Sequence, residues 1–249
     1  MKKRKQDQRF AAIFDFDGTL VESHPRRNVA HSKVCEVLLK HLNSKGSIIR
    51  EVLSNLISQM EIEMNQKHIY DRDIWWKEAV KRYFSKDISI SESTLKELTA
   101  IYWQTVSEES KVFPGAKDLL ISLRQKGFQL GLMSDTDGLD GMKAQRIEDA
   151  GLVSFFDAIL VPGEDTKETK PNTQPFIKMC ELLGVAPENA IHVGDNPKTD
   201  ILGAKELGMK TIILTPDKTR FKEKTLVPDL LIEIKDIKKL EKLIPELLV

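Results

Sequence analysis

We base the predicted fold on the stretch Phe10-Ala11-Ala12-Ile13-Phe14-Asp15-Phe16-Asp17-Gly18-Thr19. Its first five residues are apolar and lead directly into an aspartate, which is typical of a short buried strand that ends in a turn. Gly18 then interrupts the apolar pattern, as glycine often does at turns. We therefore predict a strand over residues 10–14 whose carboxyl end presents Asp15 and Asp17.

A long helical segment follows this strand. From about Ser23 to Ser107, apolar residues recur three and four positions apart, as they do on the apolar face of a helix. The period-two alternation of a half-buried strand does not occur there. The pattern predicts a helical insert over residues 23–107 and a core built from residues 1–22 and 108–249.

Strands and helices alternate after Pro114-Gly115. Short apolar runs predict strands over residues 128–133, 158–161, 190–193 and 211–214. Parallel strands that are joined by helices have right-handed crossovers, which place helices on both faces of one sheet. The predicted fold class is α/β: a doubly wound, mostly parallel, Rossmann-like sheet with an inserted α-helical domain. His192 is expected to be a packed core histidine, and residues 234–248 are expected to form a surface helix on the sheet.

Composition and charge exclude several classes of function. The 249 residues contain 38 Lys and Arg against 38 Asp and Glu, so no overall charge attracts nucleic acid or an anionic membrane. No run reaches the roughly 18 apolar residues of a membrane span. The basic start, Met1–Arg9, is not followed by an apolar run of signal-peptide length. We expect a soluble cytoplasmic protein without a nucleic-acid or membrane partner, and the sequence leaves its oligomeric state open.

Residues that can bind a ligand follow each of the first four predicted strands. In chain order these residues are Asp15, Asp17, Gly18 and Thr19, then Ser134 and Asp135, then Lys170 before Pro171, then Asp195 and Asp200. Ligands of open parallel sheets bind beyond the carboxyl ends of the strands. We therefore expect carboxylates, a hydroxyl and an ammonium group to meet at one edge of the sheet.

These groups suit phosphoryl transfer. Clustered carboxylates repel one another and need a cation between them, and Mg²⁺ prefers oxygen ligands and leaves positions for water and phosphate. The backbone N–H groups of Gly18 and Thr19 come just past a strand, where they suit phosphate oxygens. Because the chain turns between Asp15 and Asp17, one carboxylate can act as nucleophile while the other serves as acid and base.

Four motifs of this chain resemble the four ordered motifs of the haloacid dehalogenase superfamily. They are Asp15-Phe16-Asp17-Gly18-Thr19, Ser134, Lys170-Pro171 and Gly194-Asp195 to Asp200. The resemblance covers residues 10–214. The most similar type is the Mg²⁺-dependent phosphatases that resemble phosphoglycolate phosphatase and carry a helical cap after the first strand. The resemblance implies a Mg²⁺-dependent phosphomonoester hydrolase that acts on a small phosphorylated metabolite through an aspartyl-phosphate intermediate.

The resemblance also implies roles for individual residues. Asp15 would attack phosphorus, Asp17 would protonate the leaving alcohol and then activate water, and Lys170 would offset the negative charge. Contacts to phosphate are expected from Gly18, Thr19, Ser134 and Asp135. Ligands of Mg²⁺ are expected from Asp15, the backbone carbonyl of Asp17, and Asp195. Asp200 would lie close to the metal or behind its ligands.

Two other functions stay open. A phosphomutase of the β-phosphoglucomutase type would share every core residue, and only its product, an isomeric phosphate rather than free phosphate, separates it from a hydrolase. A non-enzymatic switch would also carry a phosphorylatable aspartate on a parallel sheet. Such a switch needs neither the helical insert nor a second acid two residues after the first.

Some single residues have a second interpretation. Asp200 can be the cap of the helix that follows it. Lys167 competes with Lys170 for the role of the cation, although the following proline favours Lys170 by disfavouring helix at that position. Asp137 and Asp140 continue the acidic loop after Asp135, where a second metal site is one interpretation and solvated turn residues are the other.

Overall fold

The structure is a computed structural model that describes residues 9–23, 27–43, 46–67, 69–85, 87–221 and 225–248. The chain forms two compact units. The sheet unit comprises Met1–Glu22, Lys111–Asp135 and Ile147–Val249, and the helical unit comprises Ser23–Ser110 and Thr136–Arg146. Apart from Arg9, the basic start of the chain lies outside the described residues.

The sheet unit contains all the strands that the described ranges hold. Their bounds are β1 Ala11–Phe14, β2 Val21–Glu22, β3 Lys111–Val112, β4 Gln129–Met133, β5 Ala158–Leu160, β6 Ala190–Gly194, β7 Lys210–Thr215 and β8 Leu230–Glu233. β2 and β3 form a separate antiparallel pair. The other strands form one sheet in the order β5-β4-β1-β6-β7-β8, and every neighbouring pair is parallel. The predicted α/β class with a parallel sheet is confirmed.

The first predicted strand lies at the centre of this sheet. All residues of β1 are fully buried, as expected for a parallel strand that is covered on both faces. Ala12 and Phe14 belong to one apolar cluster and Ala11 and Ile13 to another, so the strand alternates between two cores. This alternation explains why the strand is a continuous apolar run in the sequence.

The helical unit is built from α1 Arg27–His41, α2 Ser47–Gln66, α3 Arg72–Phe84 and α4 Glu92–Glu109. Side chains at two of the helix starts satisfy backbone N–H groups, because Asp71 accepts from the N–H of Asp73 and Ser91 from that of Thr94. Buried residues from all four helices form one apolar core, which includes Trp75 and Trp76. The unit is therefore held together by its own hydrophobic core.

The helical unit extends beyond the predicted insert of residues 23–107. α4 continues to Glu109, and residues 136–146 join the same unit although they follow β4 in sequence. The indole N–H of Trp103 donates to the carbonyl oxygen of Asp137 at 2.8 Å, which links this later segment to α4. A contact between positions that lie so far apart in the chain leaves no local pattern in the sequence.

Further helices connect the strands. Their bounds are α5 Ala116–Gln125, α6 Met142–Asp149, α7 Thr173–Leu183, α8 Pro197–Asp200, α9 Leu202–Glu206 and α10 Leu240–Leu248. Within the ranges that the structure describes, no helix is both long and apolar enough to cross a membrane.

The carboxyl-terminal part of the chain differs from the prediction. β8 adds an edge strand to the sheet. The sequence pattern did not predict this strand because its apolar run is short. Residues 234–239 form a 3-10 helix and α10 follows, so the single predicted helix is divided. Ile237, Leu240 and Ile244 are fully buried and join the core of the sheet unit, which agrees with a helix that packs on the sheet.

Candidate active site

The carboxyl ends of β1, β4 and β6 meet at one edge of the sheet. Phe14, the last residue of β1, lies opposite Leu132 and Val193 in the two neighbouring strands. The N–H of Asp15 continues this pairing and donates to the carbonyl oxygen of Val193 at 2.9 Å. The residues that follow these strands therefore start at the same edge, and they include Asp15, Ser134 and Asp195.

A tight turn follows Asp15. Gly18 adopts a φ of 76°, a conformation that residues with a Cβ rarely adopt. Its N–H donates to the carbonyl oxygen of Val21 at 2.8 Å, and the N–H of Thr19 donates to that of Phe16 at 3.4 Å. The two N–H groups expected to serve phosphate are thus engaged inside the turn. The structure differs from the expectation here because both N–H groups donate to backbone carbonyl oxygens of the turn.

Two hydroxyl side chains lie at this edge. Ser134 directly follows β4, and both Ser134 and Thr19 are buried. The hydroxyl of Thr19 has no hydrogen-bond partner among the described residues. Buried polar groups normally have partners, so the Thr19 hydroxyl has hydrogen-bonding capacity that the described part of the chain does not use.

Lys170 links two of the aspartates. Its Nζ lies 3.2 Å from Oδ1 of Asp15 and 2.7 Å from Oδ1 of Asp200. Burial alone lowers the pKa of a lysine, but the attraction of Asp15, Asp200 and Asp135 outweighs it and holds the pKa of Lys170 well above its usual value. The side chain is therefore a charged ammonium group. The competing Lys167 is exposed, whereas Lys170 is only 2% exposed.

Asp200 has hydrogen-bond partners on both of its oxygens. Oδ1 accepts from Nζ of Lys170 and lies 3.2 Å from Nε2 of His192. Oδ2 accepts from the N–H of Asp195 at 3.1 Å and from that of Asn196 at 2.9 Å. Burial alone raises the pKa of this carboxyl, but Lys170 and His192 outweigh that effect and hold it below its usual value. Asp200 thus fixes both the lysine and the loop after β6.

A close approach of backbone and side chain makes this arrangement possible. A Cβ added to Gly194 would lie 2.2 Å from Oδ2 of Asp200, so a glycine is required where β6 ends. The interpretation of Asp200 as a helix cap fails, because the N-cap of α9 is Ile201 and no side chain caps it. The side chain of Asn196 caps the short α8 instead, by accepting from the N–H of Lys198.

His192 is a site residue that the sequence did not reveal. It is fully buried, as predicted, and packs edge-on against Phe176 with ring centroids 5.1 Å apart. Its contact with Asp200, however, connects it to the network around Lys170. The sequence could have indicated this contact only through the position of His192 in β6, two residues before Gly194 and on the same face of the strand.

Asp135 holds the backbone of the lysine. Its Oδ1 accepts from the N–H of Lys170 at 3.0 Å. Burial raises the pKa of Asp135 to about 6, although Lys170 lowers it. A carboxylate has no proton to donate to phosphate, so this position favours a supporting role over the phosphate contact that the sequence suggested.

Three carboxylates of this edge are placed to hold a cation. Asp15, Asp195 and Asp200 each offer one oxygen, and these oxygens lie within 4.8 Å of one another. A donor set of oxygens alone fits a hard ion such as Mg²⁺. Because Asp200 already accepts four contacts, Asp15 and Asp195 are the better candidates for direct ligands. Asp17 sits in the turn after Asp15, where its expected contribution is a backbone carbonyl.

The remaining acids of the loop after β4 do not form a second metal site with one another. Asp137 is buried in the helical unit, and its carboxylate lies 2.9 Å from Nζ of Lys143 and 3.0 Å from Nη1 of Arg146. Asp140 is exposed. Because two cations already compensate Asp137, a metal ion there has no electrostatic advantage.

Comparisons with known proteins show the family to which this chain belongs. Residues 12–214 match the family model described as haloacid dehalogenase-like hydrolase. The chain is 31% identical over 201 residues to a protein of Clostridium perfringens named as a pyrophosphatase, with 81% of each chain covered. It is 29% identical over 205 residues to phosphoglycolate phosphatase of Escherichia coli strain K12, with 81% of this chain and 79% of the relative covered.

A solved structure shows the same fold. The HAD phosphatase from Thermococcus onnurineus superposes with a TM-score of 0.65 at 24% identity, and the match covers 94% of this chain and 98% of that one. The family match extends over most of the sheet unit and all four motifs. The chain therefore belongs to the haloacid dehalogenase-like hydrolases and is an enzyme of their phosphatase type.

Proposed function

We propose that this enzyme is a Mg²⁺-dependent phosphomonoester hydrolase that forms an aspartyl-phosphate on Asp15. One observation carries the proposal: Nζ of Lys170 lies within 3.2 Å of Asp15, at the edge where Asp195 also contributes a carboxylate oxygen. A buried nucleophilic carboxylate next to a fixed cation is the arrangement that phosphoryl transfer requires, since the transferred group is itself anionic.

Asp15 is the nucleophile in this proposal. A carboxylate oxygen of Asp15 forms a bond to phosphorus while the bond between phosphorus and the leaving alcohol oxygen breaks. The N–H of Asp15 is held by Val193 at 2.9 Å, so the backbone that carries the nucleophile is fixed by the sheet. Lys170 reduces the repulsion between the carboxylate and the incoming phosphate.

Asp17 is the acid and base in this proposal. It gives its proton to the oxygen of the leaving alcohol in the first step. The resulting carboxylate then takes a proton from a water molecule, which attacks phosphorus and releases inorganic phosphate from Asp15. Asp17 lies two residues after Asp15, in a turn that the positive φ of Gly18 supports.

Mg²⁺ would be held by Asp15, Asp195 and the backbone carbonyl of Asp17. When bound, the ion would neutralise part of the negative charge that collects on the phosphate and the carboxylates. Ser134 and Thr19 are the side chains we assign to phosphate oxygens, since both are buried hydroxyls and that of Thr19 has no hydrogen-bond partner within the described chain. Gly18 provides space for close approach of the phosphate.

The substrate in this proposal is a small phosphorylated metabolite, and residues 23–107 act as the cap that selects it. The names of the relatives support this class, since one is a phosphoglycolate phosphatase. Another relative, 28% identical over 214 residues, is named glyceraldehyde 3-phosphate phosphatase. Both names describe phosphate esters of small acids or aldehydes.

Replacing the nucleophile tests the mechanism. Asp15→Asn removes the attacking carboxylate with little change in volume, and we expect the release of phosphate from p-nitrophenyl phosphate to fall by at least about a thousandfold. EDTA should abolish the activity of the unaltered protein, and added Mg²⁺ should restore it. The control is Asp118→Asn, an exposed aspartate that pairs with Lys238 on the surface and should keep full activity.

Wild-type-like turnover by Asp15→Asn would refute the mechanism. Product analysis separates the remaining alternatives: free phosphate indicates a hydrolase, and an isomeric sugar phosphate indicates a mutase. A single stoichiometric burst without turnover would instead indicate a phosphorylatable switch.

A further inference from the structure

Polar side chains from all four helices of the helical unit converge in its interior. We call Arg27, His31, Glu61, Arg72 and Tyr102 the Arg72 cluster. Nη1 of Arg27 lies 2.8 Å from Oε1 of Glu61, and Nη2 of Arg72 lies 4.0 Å from the same oxygen. Nε2 of His31 lies 4.0 Å from the other oxygen of Glu61, and its ring stacks on Tyr102 with centroids 5.3 Å apart.

The guanidinium group of Arg72 is stacked but incompletely hydrogen-bonded. Its Cζ lies 3.4 Å from the ring centroid of Trp75. The ring centroids of Tyr102 and Trp103 lie 4.8 Å and 5.0 Å from the same atom. Such cation–π contacts occupy the faces of the guanidinium plane and leave its N–H groups, which lie at the edge, available for hydrogen bonds. Nε and Nη1 of Arg72 are buried and have no hydrogen-bond partner within the described ranges.

Two neighbours of Arg72 share this property. The hydroxyl of Tyr102 and Nε2 of His31 are both fully buried, and neither has a hydrogen-bond partner among the residues that the structure describes. Burial raises the pKa of Tyr102, so its hydroxyl keeps its proton and is a donor. At least three donor groups in one small region, two on Arg72 and one on Tyr102, therefore lack acceptors among the described residues.

The charge at this point is also incompletely compensated. Arg72 is always charged and only 4% exposed. Glu61 lies 4.0 Å from it but makes its short contact with Arg27. Asp137 also attracts Arg72, but its carboxylate is paired with Lys143 and Arg146. A buried cation is stable only when it is paired at short distance and its hydrogen bonds are made. A ligand that would satisfy these groups offers acceptor oxygens and negative charge.

The geometry points to a binding site for a small carboxylate anion in the Arg72 cluster, in which the carboxylate accepts hydrogen bonds from Arg72 and Tyr102. The carboxylate satisfies both the free N–H and O–H donors and the charge of the guanidinium group. Water would satisfy the donors alone. The aromatic rings around Arg72 exclude solvent, which strengthens the attraction between the two charges.

The test measures binding to the full chain without phosphate or Mg²⁺. Glycolate is titrated at constant ionic strength against sodium chloride, and the thermal unfolding midpoint is followed, because a ligand of the folded state raises it. We expect a saturable rise for the unaltered protein. Arg72→Met should abolish the rise, and Tyr102→Phe, which removes only the hydroxyl, should weaken the apparent affinity by roughly tenfold.

Arg82→Met is the matched control. Arg82 lies in the same helix but on its surface, where it pairs with Glu63 and Glu78, so this variant should respond to glycolate as the unaltered chain does. Equal rises in the unaltered protein and in Arg72→Met, or no rise above the chloride reference, would overturn the proposal. If Arg72→Met does not fold, an unchanged response of Tyr102→Phe has the same consequence.

Kinetics with the same variants identifies the source of the carboxylate. If it is part of a substrate, Tyr102→Phe should raise KM for phosphate esters that bear a carboxylate and leave KM for uncharged esters unchanged. If it is a free anion, the ratio of the two KM values should stay the same while the binding of glycolate weakens. The binding measurement stands apart from the proposed hydrolysis, so failure of one is distinguishable from failure of the other.

Discussion

Lys170 is the residue on which the candidate active site depends most. It contacts Asp15 and Asp200 through its side chain and Asp135 through its backbone N–H. It therefore holds together side chains from the loops after three different strands. Its ammonium group contacts Asp15 and Asp200 as a cation, because the surrounding carboxylates keep it charged despite its burial.

Removing this ammonium group should affect both activity and stability. In Lys170→Met, Asp15 and Asp200 lose their shared cation while they stay buried, and an uncompensated buried charge costs about 3 kcal/mol or more. We expect kcat to fall by about a hundredfold or more, since a fixed electrostatic partner of the reacting group is lost. Steady-state kinetics and urea unfolding measure the two effects.

The neighbouring lysine provides the control for this prediction. Lys167→Met changes an exposed side chain three residues away and should leave both quantities within experimental error. If the two variants behaved alike, Lys170 would not hold the role assigned to it.

The helices of the helical unit are organised by polar contacts as well as by their apolar core. α1, α2, α3 and α4 each contribute to the Arg72 cluster, and the indole N–H of Trp76 donates to the hydroxyl of Thr99 at 2.9 Å. Buried contacts of this kind specify which helix faces meet, because each polar group must find its own partner. The protonation of the titratable groups in the Arg72 cluster therefore affects the stability of the unit.

His31 makes the stability of this unit depend on pH. Burial lowers the pKa of His31 to about 4, and Arg72 and Arg27 lower it further while Glu61 opposes them. An unfolded chain binds the proton near pH 6.5. The free energy of unfolding is therefore highest above about pH 6.5 and falls as the pH drops towards 4. Between pH 7 and pH 5 it should fall by about 2 kcal/mol.

Urea unfolding at pH 7 and pH 5 checks this expectation. His31→Gln can keep a hydrogen bond to Ser58 but cannot take up the proton, so the difference between the two pH values should shrink. The control is His41→Gln, at the other end of α1, where the side chain is exposed. An undiminished pH difference in His31→Gln would show that the ring does not titrate as its burial requires.

At the scale of the whole molecule, the sheet unit concentrates negative charge at one edge. Asp15, Asp195 and Asp200 bring three carboxylate oxygens within 4.8 Å, and Lys170 is the ammonium group that contacts two of them. Repulsion among these acids opposes folding, and a bound cation relieves it. A metal ion that binds here would therefore stabilise the folded protein.

Mg²⁺ should raise the thermal unfolding midpoint. At a hundred times the dissociation constant a ligand of the folded state adds about 2.7 kcal/mol, which corresponds to roughly 5 to 10 °C for a chain of this size. In Asp195→Asn the shift should largely disappear, and the metal-free variant should be no less stable than the unaltered protein because one repulsive charge is gone. A shift of equal size in both proteins would exclude Asp195 as a ligand.

The fold class and the candidate catalytic residues could be predicted from the sequence, because both depend on local patterns. A buried strand is apolar over its whole length, and in a parallel sheet the residue after its carboxyl end lies at the binding edge. Asp15, Ser134 and Asp195 could be selected for this reason alone. β8 and the full extent of the helical unit were not predicted, since a short edge strand and the contact between Trp103 and Asp137 leave no periodic signal.

The pairing of polar groups, in contrast, depends on the folded structure. The contact of His192 with Asp200, the hold of Asp135 on the backbone of Lys170 and the Arg72 cluster join residues from separate elements. Hydrogen bonds and ion pairs act over a few ångströms, whereas the sequence orders residues only along the chain. Which charges are buried together, and which donors are left without acceptors, is therefore settled by packing alone.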